Sequence, residues 1–407
     1  MKVIKNYLYN LSYQILTIIL PIITVPYVTR IFTNEDLGNY VFYNSIVSYF
    51  SLFAMLGIGV YGTKQIAAAS DVSSTFWNIY VIQLIASILA MAVYIIAIFS
   101  IPQMGGIIPL IVGITLFAKM IDISWLFSGK EDFKKITIRN IVVRLIGVIS
   151  IFTFVKSSYD LYLYVFLIVI FDFLGQFVMW IPAKQFLNRP TFNLESIKKN
   201  LRPTILLFLP QVAISLYVVL DRTLLGLLGS YSDVGIYEQG QKLISILLTV
   251  VNSLGAVMLP RVANLLSEKR DQEAQNMVKF SFILYNFIIF PMIFGFIAVN
   301  EVFVKLFLGQ NFQDVKYMLY IIVFNIMLVG WTNILGFQVL VVRNKNKEYM
   351  LSTTIPAFAS VAVNIAVIPF FGYIGASITS VVVEILVFSI QWYYSRNIIN
   401  KNLLFNK

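Results

Sequence analysis

Ionisable side chains that interrupt long apolar stretches are the residues of this sequence best suited to chemistry. Inside a membrane-spanning helix such a side chain costs about 2.5–3.5 kcal/mol, so it normally faces a protein interior or a water-filled cavity. The basic residues of this kind are Arg30, Lys119, Arg144, Arg222 and Lys242. The acidic ones are Asp122, Asp172, Asp221 and Glu384.

The sign of each charge predicts a different chemistry. Phosphate oxygens accept charge-assisted hydrogen bonds from Lys and Arg, so the five basic residues are predicted to line a cavity that binds an anionic head group. The four acidic residues are candidate sites for a coupling ion, H⁺ or Na⁺. The alternative for each of them is an ion pair with a nearby cation.

The spacing of the charges indicates which of them meet. Lys119 and Asp122 are three residues apart, so they can share a helix face and form an ion pair. Lys242 follows Glu238 by one helical turn, which predicts a second pair.

Asp221 and Arg222 are adjacent in the sequence. Neighbouring side chains of a helix point about 100° apart, because the helix has 3.6 residues per turn. At least one of the two is therefore predicted to meet another helix or the cavity.

The apolar stretches are long enough to cross a membrane. Of the 407 residues 59% are hydrophobic and only 12% are charged, with a mean hydropathy of +0.83, whereas about 25% of an average soluble domain is charged. A membrane-spanning helix needs about 20 apolar residues. We therefore predict an all-α integral membrane protein with about twelve such helices, near 10–31, 40–63, 76–100, 106–128, 136–155, 159–181, 204–228, 235–259, 280–300, 315–342, 350–370 and 373–395.

The distribution of Lys and Arg predicts the orientation of these helices. With both termini in the cytoplasm, 22 of the 30 basic residues fall in cytoplasmic segments. That excess is typical of cytoplasmic loops, and it accounts for most of the net charge of +11. Nucleic-acid binding would need a basic face on a soluble module, and the sequence has no such module.

The longest polar stretch between predicted helices divides the chain near its middle. It predicts an N-terminal six-helix bundle over residues 1–182, a cytoplasmic linker over 183–203, and a C-terminal six-helix bundle with a short cytoplasmic tail over 204–407. Each half has an even number of spans, so both halves run in the same direction. This predicts repeats related by a pseudo-two-fold axis along the membrane normal.

A short motif supports the duplication. Residues 36–40 (DLGNY) follow the first predicted span and residues 233–237 (DVGIY) follow the seventh, so both read D-[LV]-G-x-Y at the start of a helix. The aspartate of each copy is predicted to cap that helix.

Several classes of protein are excluded by what the sequence lacks. It contains neither cysteine nor histidine, hence no thiol nucleophile, imidazole base or His–Cys zinc site. It has no G-x-x-x-x-G-K-[ST] loop, H-E-x-x-H, G-x-S-x-G or T-V-G-Y-G motif. We therefore expect a secondary transporter that is not an enzyme and that has no metal site and no cofactor, apart from a coupling ion.

Short motifs along nearly the whole chain resemble one family. The sequence resembles the bacterial polysaccharide flippases of the Wzx type, members of the multidrug/oligosaccharidyl-lipid/polysaccharide exporter superfamily. The matching motifs are 6–11 (NYLYNL), 25–30 (VPYVTR), 45–50 (SIVSYF), 56–62 (LGIGVYG), 220–222 (LDR), 234–237 (VGIY), 259–261 (LPR) and 371–376 (FGYIGA).

The resemblance implies a V-shaped pair of six-helix bundles with a cationic central cavity. It further implies alternating-access translocation of undecaprenyl-diphosphate-linked oligosaccharide repeat units, from the inner to the outer leaflet of the bacterial cytoplasmic membrane, for surface polysaccharide such as capsule. The expected partners are that substrate, membrane lipids, a polymerase and other polysaccharide-assembly proteins. Arg30, Asp221 and Arg222 fall on matched motifs, whereas Lys119, Arg144 and Lys242 rest on their positions in apolar stretches alone.

Three alternatives stay open from the sequence. The cargo can instead be a teichoic-acid unit or the peptidoglycan precursor. A cation-coupled multidrug exporter of the same superfamily would need an acidic, aromatic cavity. A scaffold for a glycan-assembly complex would transport nothing.

Overall fold

The chain is built from helices. A computed structural model describes the backbone of residues 2–398, and their side chains except those of 2–14, 103, 213, 214 and 216–218. Every regular element in this range is a helix, and nine helical segments of the described chain are long and apolar enough to cross a membrane. Helices satisfy their own backbone hydrogen bonds, as the hydrocarbon interior requires. The predicted all-α membrane fold is confirmed; the end of the predicted tail, 399–407, lies outside the described residues.

The helices form two compact units, with the boundary between Val219 and Leu220. The first unit contains α1 Lys2–Ile31, α2 Asn34–Met55, α3 Ile58–Ala68, α4 Val72–Ser100, α5 Ile107–Met120, α6 Ser124–Gly129, α7 Phe133–Phe154, α8 Leu161–Val178, α9 Trp180–Ala183 and the first part of α10 Leu194–Leu228. Short helices complete three of its spans, because α2 with α3, α5 with α6, and α8 with α9 each form one candidate crossing.

The second unit contains the end of α10 and the remaining helices. These are α11 Tyr231–Ser267, α12 Asp271–Phe307, α13 Val315–Ile322, α14 Asn325–Asn333, a π-helix Ile334–Leu340 and α15 Asn346–Ser395. If α15 were straight, its 50 residues would extend about 75 Å, more than twice the hydrocarbon thickness of about 30 Å. Gly372, with φ 50° and ψ −133°, divides it into two helices. Nine candidate spans, with α15 divided in two and with the long helices α1 and α10 beside them, are broadly consistent with the predicted twelve.

The polar stretch between the halves is attached to the first unit. Trp77 Nε1 donates to the carbonyl oxygen of Asn188 at 3.1 Å, and the backbone N–H of Asn188 donates to Ser73 Oγ at 2.8 Å. The backbone N–H of Asn193 donates to Asn78 Oδ1 at 2.8 Å. Since α10 begins at Leu194, its first turns occupy the second half of the predicted linker.

The repeated motif forms the same structure in both units. Thr33 and Asp36 make a capping box at the start of α2, and Ser230 and Asp233 make one at the start of α11. In each box the hydroxyl and the carboxylate accept hydrogen bonds from each other's backbone N–H at 3.0–3.1 Å. Two backbone donors that the helix leaves unpaired are thereby satisfied. The prediction that both aspartates cap a helix is confirmed.

Asp233 has a further role that its counterpart lacks. Its Oδ1 accepts a hydrogen bond of 3.1 Å from the backbone N–H of Tyr373, immediately after the break in α15. A Cβ atom at Gly372 would lie 2.4 Å from the same Oδ1, which no real Cβ atom tolerates. One carboxylate therefore serves the start of α11 and the start of the second part of α15.

Asp233→Ala is expected to destabilise the protein more than Asp36→Ala. Either substitution removes a capping box, worth about 1 kcal/mol. Only Asp233→Ala also removes the acceptor of the Tyr373 N–H, which we expect to cost about 1 kcal/mol more. Thermal unfolding of the two purified variants in detergent checks this, and equal shifts of the midpoint would contradict the dual role.

Candidate functional site

A polar network in the second unit contains three of the predicted site residues. It begins with Asp221 on α10, whose two carboxylate oxygens have different neutral donors. Tyr237 Oη on α11 donates to Oδ2 at 2.6 Å, and Asn364 Nδ2 on α15 donates to Oδ1 at 2.6 Å. Tyr237 is 2% exposed and Asn364 is fully buried. Asp221 thus joins three helices without using a cation in these two bonds.

Arg222, the next residue, meets a different part of α11. Its Nε donates to Glu238 Oε2 at 2.5 Å. The other oxygen of the same carboxylate, Oε1, lies 3.5 Å from Lys242 Nζ. Both expectations from spacing are thereby met: the adjacent Asp221 and Arg222 each reach another helix, and Glu238 pairs with Lys242 one turn later.

The register of α11 explains why the two parts stay separate. Tyr237 and Gln241 are four residues apart, as are Glu238 and Lys242, so they form two neighbouring stripes on one helix. Gln241 Nε2 donates to Tyr237 Oη at 2.9 Å, which orients the phenol toward Asp221. The Ser230–Asp233 capping box fixes where the helix starts, and hence the position of both stripes.

The formal charges of this network cancel. Arg222 and Lys242 carry two positive charges, while Asp221 and Glu238 carry two negative ones. The positive lining predicted from Arg222 and Lys242 is therefore compensated within the second unit, because an unpaired charge is costly in a membrane interior. Their side chains are nevertheless 24% and 38% exposed, against 13% for Glu238.

In the first unit, Lys119 and Asp122 do not form the predicted pair. The helix they were expected to share ends at Met120, so Asp122 lies in the break between α5 and α6. Its Oδ1 accepts a hydrogen bond of 2.9 Å from the backbone N–H of Ser124. Both residues are half-buried, and no ion pair joins them in the described structure. Hydropathy alone predicts one continuous span over 106–128, so it does not reveal this break.

The remaining predicted residues lie on α1, α7, α8 and α15. Arg30 is exposed at the end of α1, where Nη1 donates to the carbonyl oxygen of Pro26 at 2.5 Å. Arg144 is exposed on α7, and Glu384 is half-buried in the second part of α15. Asp172 is half-buried on α8 and has no hydrogen bond or ion pair with any residue that the structure describes.

Other polar side chains of the first unit escaped prediction. Gln83 Nε2 donates to the carbonyl oxygens of Lys119 and Asp122, both at 2.8 Å, and Gln83 Oε1 accepts from Trp125 Nε1 at 3.0 Å. Arg139 lies on α7 and its Nη2 donates to Ser124 Oγ at 2.9 Å. A lone glutamine within an apolar stretch was the available signal for Gln83.

Two residues of the second-unit network were also missed. Tyr237 is the last residue of the DVGIY motif, and Asn364 is a single amide within an apolar stretch. Neither side chain is charged, so a charge within an apolar stretch does not mark either residue. In the described part of the chain no group of three or more carboxylates is placed to hold a metal ion.

Asn364→Leu is expected to lower the free energy of unfolding by about 1–3 kcal/mol, because it removes a donor to the carboxylate of Asp221. The matched control is Asn325→Leu. Asn325 is also buried and donates to a neutral hydroxyl, Ser380 Oγ, at 2.8 Å, so its loss should cost less. Chemical unfolding of both variants in detergent tests the order, and a larger effect at Asn325 would contradict the importance of Asp221.

Comparison with known proteins shows which family the chain matches. Residues 3–266, about two thirds of the chain, match the family described as polysaccharide biosynthesis protein. A putative O-antigen transporter of Escherichia coli (strain K12) is 23% identical over 406 residues, which cover 97% of this chain and 96% of the relative.

Solved structures share the fold at low sequence identity. The lipid II flippase MurJ in an inward closed conformation has a TM-score of 0.73 at 13% identity, covering 97% of this chain and 87% of MurJ. A multidrug resistance MATE family transporter of the MOP superfamily, in an inward-facing conformation, has a TM-score of 0.68 at 15% identity. The match covers 97% of this chain and 94% of that transporter. The fold is thus that of the transporters of this superfamily.

Proposed function

Because this chain belongs to the family of polysaccharide biosynthesis proteins, we propose that it is a flippase for undecaprenyl-diphosphate-linked oligosaccharide repeat units. The supporting observation is its similarity, over almost the full length of both chains, to the putative O-antigen transporter of E. coli. The relative and the structures compared above are transporters or flippases rather than enzymes. The proposed role is accordingly transport.

Arg222 and Lys242 are the proposed contacts for the diphosphate. Both cations are partly exposed and belong to one cluster, and phosphate oxygens accept charge-assisted hydrogen bonds from both side-chain types. Arg30, Lys119 and Arg144 are proposed as further basic contacts along the path. The polyprenyl tail stays in lipid, because burying its hydrocarbon in a polar cavity would be unfavourable.

The proposed cycle is alternating access in the bacterial cytoplasmic membrane, with both termini in the cytoplasm. The head group enters from the inner leaflet and leaves toward the outer leaflet. Polymerase and other polysaccharide-assembly proteins are the proposed partners on either side of this step. The substrate must bind the two states with comparable free energy, because a large difference would hold the protein in one of them.

Coupling to H⁺ or Na⁺ is proposed at the acidic residues. Asp221 is the first candidate. Its two hydrogen-bond donors in the network, Tyr237 and Asn364, are neutral, so they do not compensate the charge of its carboxylate. Asp172, which has no partner in the described structure, is the second. Asp122 and Glu384 follow.

A flipping assay in proteoliposomes tests the proposed function. The purified protein would receive, in parallel vesicles, an undecaprenyl-diphosphate oligosaccharide, the peptidoglycan precursor, a teichoic-acid precursor and a cationic drug. We expect movement of the first lipid between leaflets. Preferential movement of another cargo would replace the substrate assignment, and no movement of any cargo would favour the scaffold alternative.

A further inference from the structure

Glu238 is held between two cations that come from different elements. The pair with Arg222 joins α11 to α10, whereas the pair with Lys242 stays within α11. Each carboxylate oxygen faces one of the two cations. A phosphate group offers the same chemistry, since it too presents oxygens to Arg and Lys.

Asp221 and Glu238 differ in how they are held. The two bonds of Asp221 come from Tyr237 and Asn364, which are neutral, so neither bond depends on a cation. The contacts of Glu238 in the network are with Arg222 and Lys242. Any anion that takes either cation must therefore compete with Glu238 rather than with Asp221.

We propose that Glu238 is a resident counter-anion, which the diphosphate of the substrate displaces from Arg222 and which reclaims Arg222 when the substrate leaves. This inference rests on the proposed function. During the exchange Glu238 keeps Lys242, one turn away on its own helix, so its charge remains compensated. Substrate binding thus exchanges one ion pair of Arg222 for another and opens one side-chain link between α10 and α11, while the hydrogen bond from Tyr237 to Asp221 keeps the two helices joined.

The exchange serves turnover. A diphosphate bound to uncompensated cations in a low-dielectric site would be held tightly and released slowly. A competing carboxylate lowers the net gain on binding, and it restores a neutral network after release. Glu238 is on this view a positioning residue that sets affinity through Arg222.

Glu238→Gln isolates this effect because it keeps the size of the side chain and removes its charge. We expect the affinity of the purified protein for farnesyl diphosphate, a short prenyl diphosphate, to rise at least tenfold. The flipping rate at saturating substrate should fall at the same time. Glu238→Asp keeps the charge but is too short to hold both cations, so its affinity should lie between those of Glu238→Gln and the unsubstituted protein.

Two controls define the result. Glu268→Gln removes a carboxylate from an exposed pair with Arg270, at 2.8 Å, and should leave the affinity unchanged. Arg222→Gln combined with Glu238→Gln should bind no better than Arg222→Gln alone, because the gain requires Arg222. Thermal unfolding shows whether each variant is folded.

The outcomes separate this inference from the proposed function. If the unsubstituted protein neither binds farnesyl diphosphate nor flips the lipid-linked oligosaccharide, the proposed function fails and the inference fails with it. If the unsubstituted protein does both, but Glu238→Gln and Glu238→Asp bind no tighter, the counter-anion role alone is overturned. An affinity for farnesyl diphosphate that rises from the unsubstituted protein to Glu238→Asp, and again to Glu238→Gln, supports the counter-anion role.

Discussion

Arg222→Gln should reduce transport of the lipid-linked substrate at least tenfold while leaving the protein in the membrane. Arg222 is the proposed diphosphate contact, and its Nε holds Glu238 at 2.5 Å. Removal of one partner from a buried pair typically costs about 3–5 kcal/mol. The cost in stability should be smaller here, because the Arg222 side chain is 24% exposed and Glu238 retains Lys242. The measurement is the flipping rate in proteoliposomes, normalised to the amount of inserted protein.

Two companion variants separate the loss of substrate contact from the loss of stability. Arg222→Lys keeps a positive charge but loses the planar group that can bind two oxygens at once, so it should retain part of the rate. Arg222→Gln with Glu238→Gln removes both charges of the pair. Its stability should recover toward that of the unsubstituted protein while transport stays low. If transport recovered together with stability, Arg222 would have a structural role only.

Gly372→Val is expected to have the largest effect on folding. Gly372 has φ 50°, which a β-branched residue adopts only with strain, and a Cβ atom there would lie 2.4 Å from Asp233 Oδ1. The added side chain must displace the carboxylate that caps two helices. We expect a loss of about 3 kcal/mol or more in stability and a low yield of folded protein.

The matched control for Gly372→Val is Gly295→Ala on α12. A Cβ atom at Gly295 meets nothing within 4 Å, so alanine there should be neutral or stabilise the helix by up to about 1 kcal/mol. Size-exclusion profiles and thermal unfolding in detergent compare the two variants. A Gly372→Val protein as stable as the unsubstituted one would contradict the close approach of Asp233 to the break in α15.

The fold was predictable because its signals are local and repeated. Hydropathy marks each span, and the D-[LV]-G-x-Y motif marks the start of α2 and of α11, where both predicted caps are present. The breaks that divide some spans into two shorter helices were not predictable. Hydropathy around Met120 predicts one continuous helix, and the chain at the break after α5 is stabilised by Gln83 from a different span.

The candidate site was predictable only in part, for a related reason. The charges Asp221, Arg222 and Lys242 are conspicuous in apolar sequence, and the spacing of Glu238 and Lys242 gives their pairing. Contacts between residues on different helices could not be predicted in this way. Sequence spacing gives no contact between Asp221 and Asn364, which lie 143 residues apart. It also does not predict the pair between Arg222 and Glu238. Only the structure shows that the charges of Arg222 and Lys242 are compensated by carboxylates.

The shared carboxylate of Asp233 restricts how the second unit can rearrange. If the start of α11 moved away from the second part of α15, either the N–H of Tyr373 or the capping box would lose its acceptor. We therefore expect these two helix ends to travel together as one rigid joint throughout the cycle. Bending is then left to segments without such a joint, and we expect it at the π-helix Ile334–Leu340, whose hydrogen-bond register departs from that of an α-helix.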